Sequence, residues 1–159
     1  MQSKGKKFEK QFEQDWKGCF PNDVIIRLPD QQSGYYGTSS NICDYICFTH
    51  KTLFLIECKS HAGNTFPFSC LRQFDKLNSY KGIDNVVPCV ILWLYDIDKV
   101  FFIPISTVEK MINDGKKSFN GKTTDKSVYP YIDVPSSKKR TFMVSDYTVL
   151  FEEINNDSD

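Results

Sequence analysis

Two acidic residues and one lysine interrupt a short apolar stretch of the chain, residues 41–59. Asp44 lies in one apolar run, 42–48, while Glu57 and Lys59 follow a second run, 53–56, and a polar segment separates the two. Runs rich in β-branched and aromatic residues around a polar turn predict a β-hairpin. With the turn centred on residues 50 and 51, Asp44 lies opposite Glu57, with Cβ atoms about 4.5–5.5 Å apart. Lys59 points to the same face as Glu57, because strand side chains alternate.

This trio predicts chemistry at a divalent cation. Two opposed carboxylates on an apolar strand repel each other and are partly desolvated, so a positive charge is expected between them. Magnesium is often held by one or two carboxylates together with water and a substrate phosphate. Lys59 would then hold the attacking water or counter charge that develops on the phosphate. The alternative is a buried ion pair between Lys59 and one carboxylate.

The same residues carry a resemblance to known nucleases. Asp44, followed by Glu57-Cys58-Lys59, is similar to the D…(D/E)-x-K signature of the PD-(D/E)XK nuclease superfamily. Cys43 replaces the proline of that signature, at a position without a chemical role. Further segments resemble, in the same order along the chain, the RecU family of Holliday junction resolvases: Gly5-Lys6-Lys7-Phe8-Glu9-Lys10, Thr65-Phe66-Pro67-Phe68, Gln73 and Tyr129-Pro130.

The resemblance implies a fold, a reaction and a set of ligands. The fold is an α/β, restriction-endonuclease-like core with a mixed central β-sheet flanked by helices. The reaction is metal-dependent resolution of four-way (Holliday) junctions by paired symmetric nicks, which also implies a homodimer. Asp44, Glu57 and the Cys58 backbone carbonyl would bind Mg²⁺, with Mn²⁺ as a substitute. Glu9 would help to hold the metal, or would equally be an exposed glutamate paired with a lysine. One bound ion and two are both open.

Two other functions remain open from the sequence. The chain could be another PD-(D/E)XK nuclease, of the restriction or repair type, that acts on duplex DNA. It could also be a non-catalytic DNA-binding recombination accessory protein that keeps the fold. The context of Phe66-Pro67 and Gln73 favours the junction resolvase over the first alternative, and the intact acid, acid and lysine set argues against the second.

Candidate DNA-binding residues flank the predicted site. The first helix contributes three lysines, and a second helix, which we expect to begin at an N-cap Ser69, presents a polar face whose N-terminal amides would meet a phosphate. Segment 28–41 is expected to be a mobile loop or a shortened form of the family's junction-probing stalk. Its two tyrosines would stack on unpaired bases or fold back onto the domain. The candidates are Lys4, Lys6, Lys7, Tyr35, Tyr36, Arg72, Gln73 and Lys76.

The remaining patterns predict the elements that support this site. Aromatic residues at helical spacing predict a helix over 4–19, and apolar runs predict strands at 23–28, 86–95 and 100–105. The sequence Ser106-Thr107-Val108-Glu109 has a capping-box pattern. We expect a lysine-rich, DNA-contacting loop at 115–126, an extended segment at 127–137 and a strand or short helix at 142–154. Residues 1–154 should form a single nuclease domain, followed by a disordered tail, 155–159.

Composition limits the alternatives without selecting a function. The chain has 159 residues and a formal net charge of zero, but its lysines are clustered, so local patches can bind phosphate. The six cysteines lack the paired spacing of a zinc site. The sequence has no secretory signal or membrane-spanning run, so we expect a cytoplasmic protein. The basic clusters are Lys4, Lys6, Lys7 and Lys10, then Lys116, Lys117, Lys122 and Lys126, and finally Lys138, Lys139 and Arg140.

Overall fold

The computed structural model describes residues 3–29 and 41–156, with side chains as far as residue 152. In chain order the elements are α1 (Lys4–Cys19), β1 (Val24–Arg27), β2 (Tyr45–Thr49), β3 (Thr52–His61), β4 (Thr65–Pro67), α2 (Phe74–Asn78), β5 (Val86–Leu94), β6 (Lys99–Pro104), α3 (Ile105–Asn113), β7 (Ser118–Asn120), β8 (Ile132–Val134), β9 (Ser136–Lys138), β10 (Met143–Ser145) and α4 (Val149–Asn156). A short 3-10 helix, Phe68–Cys70, lies between β4 and α2.

The central sheet contains six strands in the order β1-β2-β3-β5-β6-β8. Strands β3 and β5 run parallel, whereas the other neighbouring pairs of this sheet run antiparallel. Two small sheets pair β4 with β7 and β9 with β10. The predicted fold class, an α/β protein with a mixed central sheet flanked by helices, is confirmed.

Helix α1 forms for the reasons that its sequence suggested. The Ser3 hydroxyl oxygen accepts a hydrogen bond from the Lys6 N–H at 3.2 Å and so caps the helix. Phe8, Phe12 and Trp16 recur every four residues and are all buried. Each large side chain that leaves water in this way favours folding by roughly 1.5–3 kcal/mol, so packing against the sheet holds the helix in place.

The sheet separates two apolar cores, as the alternation of side chains along its strands requires. The core beneath α1 contains Phe54, Ile56 and Cys58 of β3. The opposite core contains Leu55 of β3 and the buried side chains of α2 and α3. Glu57 therefore points to the α2 and α3 side of the sheet.

Strands β2 and β3 form the predicted hairpin. Thr49 pairs with Thr52, which leaves His50 and Lys51 as the two turn residues. Both have positive φ angles, 51° and 58°. A two-residue type I′ turn requires this conformation, and its twist matches that of the strands it joins. The position of the turn, and with it the register of the hairpin, is as predicted.

The second helix differs from the prediction. Ser69 lies inside the 3-10 turn and caps no α-helix, and α2 begins only after Gln73 and ends at Asn78. Pairing of β4 with β7 and a hydrogen bond from the Phe68 N–H to the Lys117 carbonyl, 2.9 Å long, hold the start of this segment in another conformation. These contacts join distant parts of the chain and outweigh the local helical pattern.

Three other expectations are corrected. The capping box at 106–109 does not form, because α3 begins at Ile105 and has no side-chain cap, while Glu109 pairs with Lys81. The expected loop at 115–126 contains β7, whose buried Phe119 pairs with Phe66 of β4. The segment 142–154 contains both a strand, β10, and a helix, α4, which reaches Asn156.

Residues 30–40 lie outside the described part of the chain. The predictions for the loop or stalk, and for Tyr35 and Tyr36 within it, therefore remain predictions. Among the helices that the structure describes, none has the length and apolar character needed to cross a membrane.

Candidate active site

The register of the hairpin brings Asp44 and Glu57 opposite each other. Tyr45 pairs with Ile56, and the Asp44 N–H donates to the Ile56 carbonyl at 3.0 Å, so the next opposed pair is Asp44 with Glu57. The Cys58 N–H donates to Asp44 Oδ2 at 2.9 Å, which holds the Asp44 carboxylate across the hairpin. The site is therefore built from two neighbouring strands of the sheet.

Glu57 is buried at the centre of the site. Glu57 is only 3 % exposed, and its Oε2 atom has no hydrogen-bond partner among the described atoms. Lys59 Nζ lies 3.4 Å from Glu57 Oε1, and the lysine side chain is 23 % exposed. The lysine therefore reaches from the buried carboxylate towards solvent, while Glu57 Oε2 is buried without a hydrogen-bond partner among the described groups.

The surroundings disfavour two negative charges in this site. Burial, together with repulsion from Asp44, raises the pKa of Glu57 to about 8, although Lys59 acts in the opposite direction. Burial also raises the pKa of Asp44, against the lowering effects of the Cys58 N–H and the Lys59 and Lys6 ammonium groups. The two carboxyl groups interact, so these pKa values belong to the pair rather than to either residue alone.

The donor set fits one type of metal ion better than others. In the described residues, no group of three or more His, Cys, Asp and Glu side chains is arranged to hold an ion. Two opposed carboxylates with one buried oxygen that lacks a partner suit a hard cation, such as Mg²⁺, which keeps water ligands and binds substrate phosphate. Zinc usually requires a fuller set of protein ligands.

Glu9 lies at the edge of this arrangement. Its Oε2 atom is 3.6 Å from Lys6 Nζ and 3.9 Å from Arg27 Nη2, and its backbone carbonyl accepts a hydrogen bond from the Tyr45 hydroxyl at 3.0 Å. The lysine pairing that we considered for Glu9 is thus present. The described side chains do not form a three-carboxylate group with Asp44 and Glu57, and a role for Glu9 in metal binding stays a prediction.

Cys58 turns its side chain away from Glu57 and Lys59, towards the opposite face of the sheet. The thiol packs into the core beneath α1, and burial raises its pKa well above the ordinary value. A buried thiol that resists ionisation is a poor nucleophile. Binding of metal by the Cys58 carbonyl stays a prediction.

Three of the five lysines of α1, namely Lys4, Lys6 and Lys7, are candidate DNA-binding residues, and they lie in different surroundings. Lys6 is close enough to Asp44 to lower the pKa of that carboxyl group. Lys4 Nζ lies 3.9 Å above the ring of Tyr95, and Lys7 is exposed. Lys6 therefore adds positive charge beside the hairpin, and contact of the three lysines with DNA stays a prediction.

The candidates around α2 have a different setting from the one we expected. Arg72 is exposed and Lys76 is half-buried, and α2 begins only at Phe74 and spans five residues. The prediction of a helix that begins at Ser69 is wrong, and contact of Arg72, Gln73 and Lys76 with DNA stays a prediction. Gln73 is half-buried, and its Oε1 atom has no hydrogen-bond partner among the described groups, so this side chain keeps an acceptor available.

A second group of basic side chains lies beside α1, and we did not predict that these side chains line a common cavity. Lys138 and Arg140 line a cavity of about 310 Å³ together with Lys4 and Lys7. The basic run Lys138-Lys139-Arg140 was visible in the sequence. Its position beside α1 was not, because it depends on the pairing of β9 with β10 and on contacts between β10 and α1.

Comparison with known proteins identifies the fold. Neither a scan against protein-family models nor a search of curated protein sequences gave a match. Among solved structures, the chain is similar to Hjc, a Holliday junction resolvase from the archaeal hyperthermophile Archaeoglobus fulgidus, with a TM-score of 0.52 and 23 % identity. The match covers 81 % of this chain and 95 % of that chain. The chain therefore has the fold of a Holliday junction resolvase, as the resemblance in the sequence implied.

Proposed function

We propose that this protein is a metal-dependent, structure-selective DNA endonuclease that resolves four-way junctions by paired symmetric nicks. The observation that carries the proposal is the opposition of Asp44 and Glu57 across the hairpin, with Lys59 Nζ 3.4 Å from Glu57. The fold adds support, because the similar archaeal protein is a Holliday junction resolvase. The residues and the fold thus favour the same class of reaction.

Asp44 and Glu57 would hold Mg²⁺, with the Cys58 carbonyl and Glu9 as further candidate ligands. When bound, the cation supplies Lewis acidity and lowers the pKa of bound water. The two carboxylates would hold the cation and orient the attacking water towards the phosphodiester, and both would be ionised when the cation is bound. Lys59 donates a hydrogen bond to the attacking water or to the phosphate oxygen on which negative charge develops. The water oxygen would form a new bond to phosphorus while the bond from phosphorus to the leaving oxygen breaks; the attacking water would release its proton to solvent, and the leaving oxygen would take a proton from solvent water.

Paired nicks require two copies of the site. A homodimer with twofold symmetry would present two hairpins to the two strands of equal sequence in a junction. Recognition would depend on the shape of the branched DNA more than on its sequence. The positive charge of the α1 lysines would supply part of the affinity through contacts with the DNA backbone.

A labelled four-way junction and a matched linear duplex, each incubated with and without Mg²⁺, test the reaction. We expect symmetric nicks in the junction only, and only with the metal. Cutting of the duplex would indicate a restriction or repair nuclease instead. Binding without cutting, with either Mg²⁺ or Mn²⁺, would indicate a non-catalytic DNA-binding protein.

Substitutions in the trio test the residues. Asp44→Asn and Lys59→Ala should each lower the nicking rate by at least about 10²-fold, because each removes a charged group from the transition state. Junction affinity should change little, since backbone contacts elsewhere carry most of it. Single-turnover nicking and gel-shift binding measure the two effects. The matched controls are Asp75→Asn and Lys51→Gln, both at exposed positions, and full activity in either trio variant would remove the proposed site.

A further inference from the structure

The cavity between α1 and the β9–β10 hairpin is a second site with strong charge. It measures about 310 Å³ and is lined by Lys4 and Lys7 on one side and by Lys138 and Arg140 on the other. Asp98 is the acidic residue on its wall, and Lys138 Nζ lies 3.0 Å from Asp98 Oδ2. The cations outnumber the acid, so the cavity carries a positive field that favours an anionic ligand.

The floor and rim of this cavity are aromatic. Trp93 is buried on the floor, and its Nε1 atom has no hydrogen-bond partner among the described residues. Tyr95 contacts the Trp93 ring edge-on at 5.6 Å and carries Lys4 above its own ring. Phe142 is 37 % exposed at the rim. A ligand with an anionic part and a flat apolar part would find a contact for both.

The cavity lies near the end of β3 that carries the candidate active site, but on the α1 face of the sheet, whereas Glu57 points to the opposite face. Trp93 on the floor pairs in the sheet with Ser60, the residue that follows Lys59, so the two sites are close along β3 and are separated by the sheet. One turn of α1 joins the two places, because Lys6 acts on the Asp44 carboxyl group while Lys4 and Lys7 line the cavity. A polymer anchored at the metal site could therefore continue past the N-terminal turn of α1 into the cavity.

We propose that this cavity binds the phosphodiester backbone of the DNA strand next to the cleaved bond, an inference that rests on the proposed function. Arg140 and Lys7 contact successive phosphates, and Phe142 packs against a sugar or base of the same strand. The cations stand on both walls, and Lys7, Lys138 and Arg140 are exposed. This arrangement suits a strand that passes through better than a small enclosed anion.

The salt dependence of junction binding tests the contacts. Binding is measured in EDTA, with the active-site residues intact, for wild type, Lys7→Gln, Arg140→Gln and the double variant. Each lost phosphate contact should reduce the slope of log K against log salt by about 0.9. Lys51→Gln, at the turn of the hairpin, should leave the slope unchanged. Arg140→Lys keeps the positive charge and should therefore have a slope close to that of wild type. Slopes equal to that of wild type in both single variants would overturn the inference.

Neutral linkages in the DNA locate the contact. Methylphosphonates placed at the phosphates beside the nick should weaken binding to wild type and should weaken binding to the Lys7→Gln, Arg140→Gln double variant much less. Equal losses in the two proteins would overturn the placement of the strand. A thermal midpoint for the double variant that matches wild type excludes misfolding as the cause of its weaker binding.

The nicking assay separates this inference from the proposed function. If wild type nicks junctions but the slopes do not change, the cavity is not a DNA site and the nuclease proposal stands. If the slopes change but neither Mg²⁺ nor Mn²⁺ supports nicking, the cavity binds DNA in a protein that is not a nuclease. A wild-type protein that binds no DNA would overturn both.

Discussion

Burial and repulsion act together on the two carboxyl groups of the hairpin. A water-exposed pair would ionise near its ordinary pKa, but Glu57 is almost wholly enclosed and faces Asp44. The Lys59 ammonium group offsets only part of this cost, because it lies towards solvent. Groups with strongly shifted pKa values are common at functional sites. Surroundings that disfavour two negative charges also favour the binding of a cation between them. The candidate site therefore lies where the fold disfavours the ionisation of its carboxyl groups most strongly.

The free energy of unfolding of the metal-free protein should therefore fall with rising pH because of Glu57. The pKa of this group is about 8 in the folded protein and 4.5 as its reference value. Between these values the folded protein holds a proton that the unfolded chain has lost, so stability is full below pH 4.5 and falls as pH rises towards 8. We expect urea unfolding to show a loss of more than about 1 kcal/mol over this window in wild type relative to Glu57→Gln.

A matched control and a metal titration sharpen this measurement. Glu13→Gln leaves the carboxyl pair intact, so its free energy of unfolding should fall with rising pH as much as that of wild type. Mg²⁺ should raise the thermal midpoint more at pH 8 than at pH 5.5, because the cation competes with the shared proton. Equal pH profiles for wild type and Glu57→Gln would show that Glu57 ionises without cost and is not enclosed as described.

At the scale of elements, local patterns with a strong physical basis were predictable. The hairpin could be predicted because two apolar runs around a polar turn leave few strand registers that bury the apolar face. Strand β5 could be predicted because its run is apolar throughout. Helix α2 was not predictable, because the pairing of β4 with β7 determines the conformation before it. The cavity of Lys138 and Arg140 was also hidden, since it depends on where β10 meets α1. The opposition of the two carboxylates could be predicted from the register of the hairpin alone. The surroundings of Gln73 could not, because they depend on the tertiary fold.

A glycine shows how tightly these elements are packed. A Cβ atom on Gly121, just after β7, would lie 2.7 Å from Leu94 Cδ1 and 3.0 Å from the Phe101 ring, and both of these residues are fully buried. Gly121→Ala should therefore destabilise the protein by about 1–3 kcal/mol. Gly18→Ala, in α1 with nothing within 4 Å of the added atom, should instead stabilise it by about 0.5–1 kcal/mol. Thermal unfolding of the two variants makes the comparison, and a neutral Gly121→Ala would mean that β7 moves aside easily.

At the scale of the whole molecule, the edge of the central sheet is open to association. Strand β1 is one of the two edge strands, with β8 at the other edge, and Val24, Ile26 and the neighbouring Phe48 of β2 are each about half exposed. An apolar sheet edge tends to pair with another chain, and an enzyme that makes two symmetric cuts needs a second copy. The same surface could therefore serve the twofold assembly that the proposed reaction demands.

Light scattering of an edge variant tests this assembly. Wild type should have the mass of a dimer, and Ile26→Lys should shift it towards the monomer, because a charge at the edge opposes strand pairing. Lys99→Gln, at an exposed position on β6, should leave the mass unchanged. A dimer that persists in Ile26→Lys would place the interface on another surface.

The two carboxylates of the site belong to one hairpin, and this has a consequence for how the chain folds. Closing a short hairpin costs little chain entropy, whereas β3 and β5 can pair only after residues 62–85 have crossed over. The acidic pair would therefore meet early, on a nascent hairpin that its own repulsion disfavours. A divalent ion present during synthesis would find its ligands before the sheet exists, and would act as a nucleus for folding as well as a partner of the finished protein.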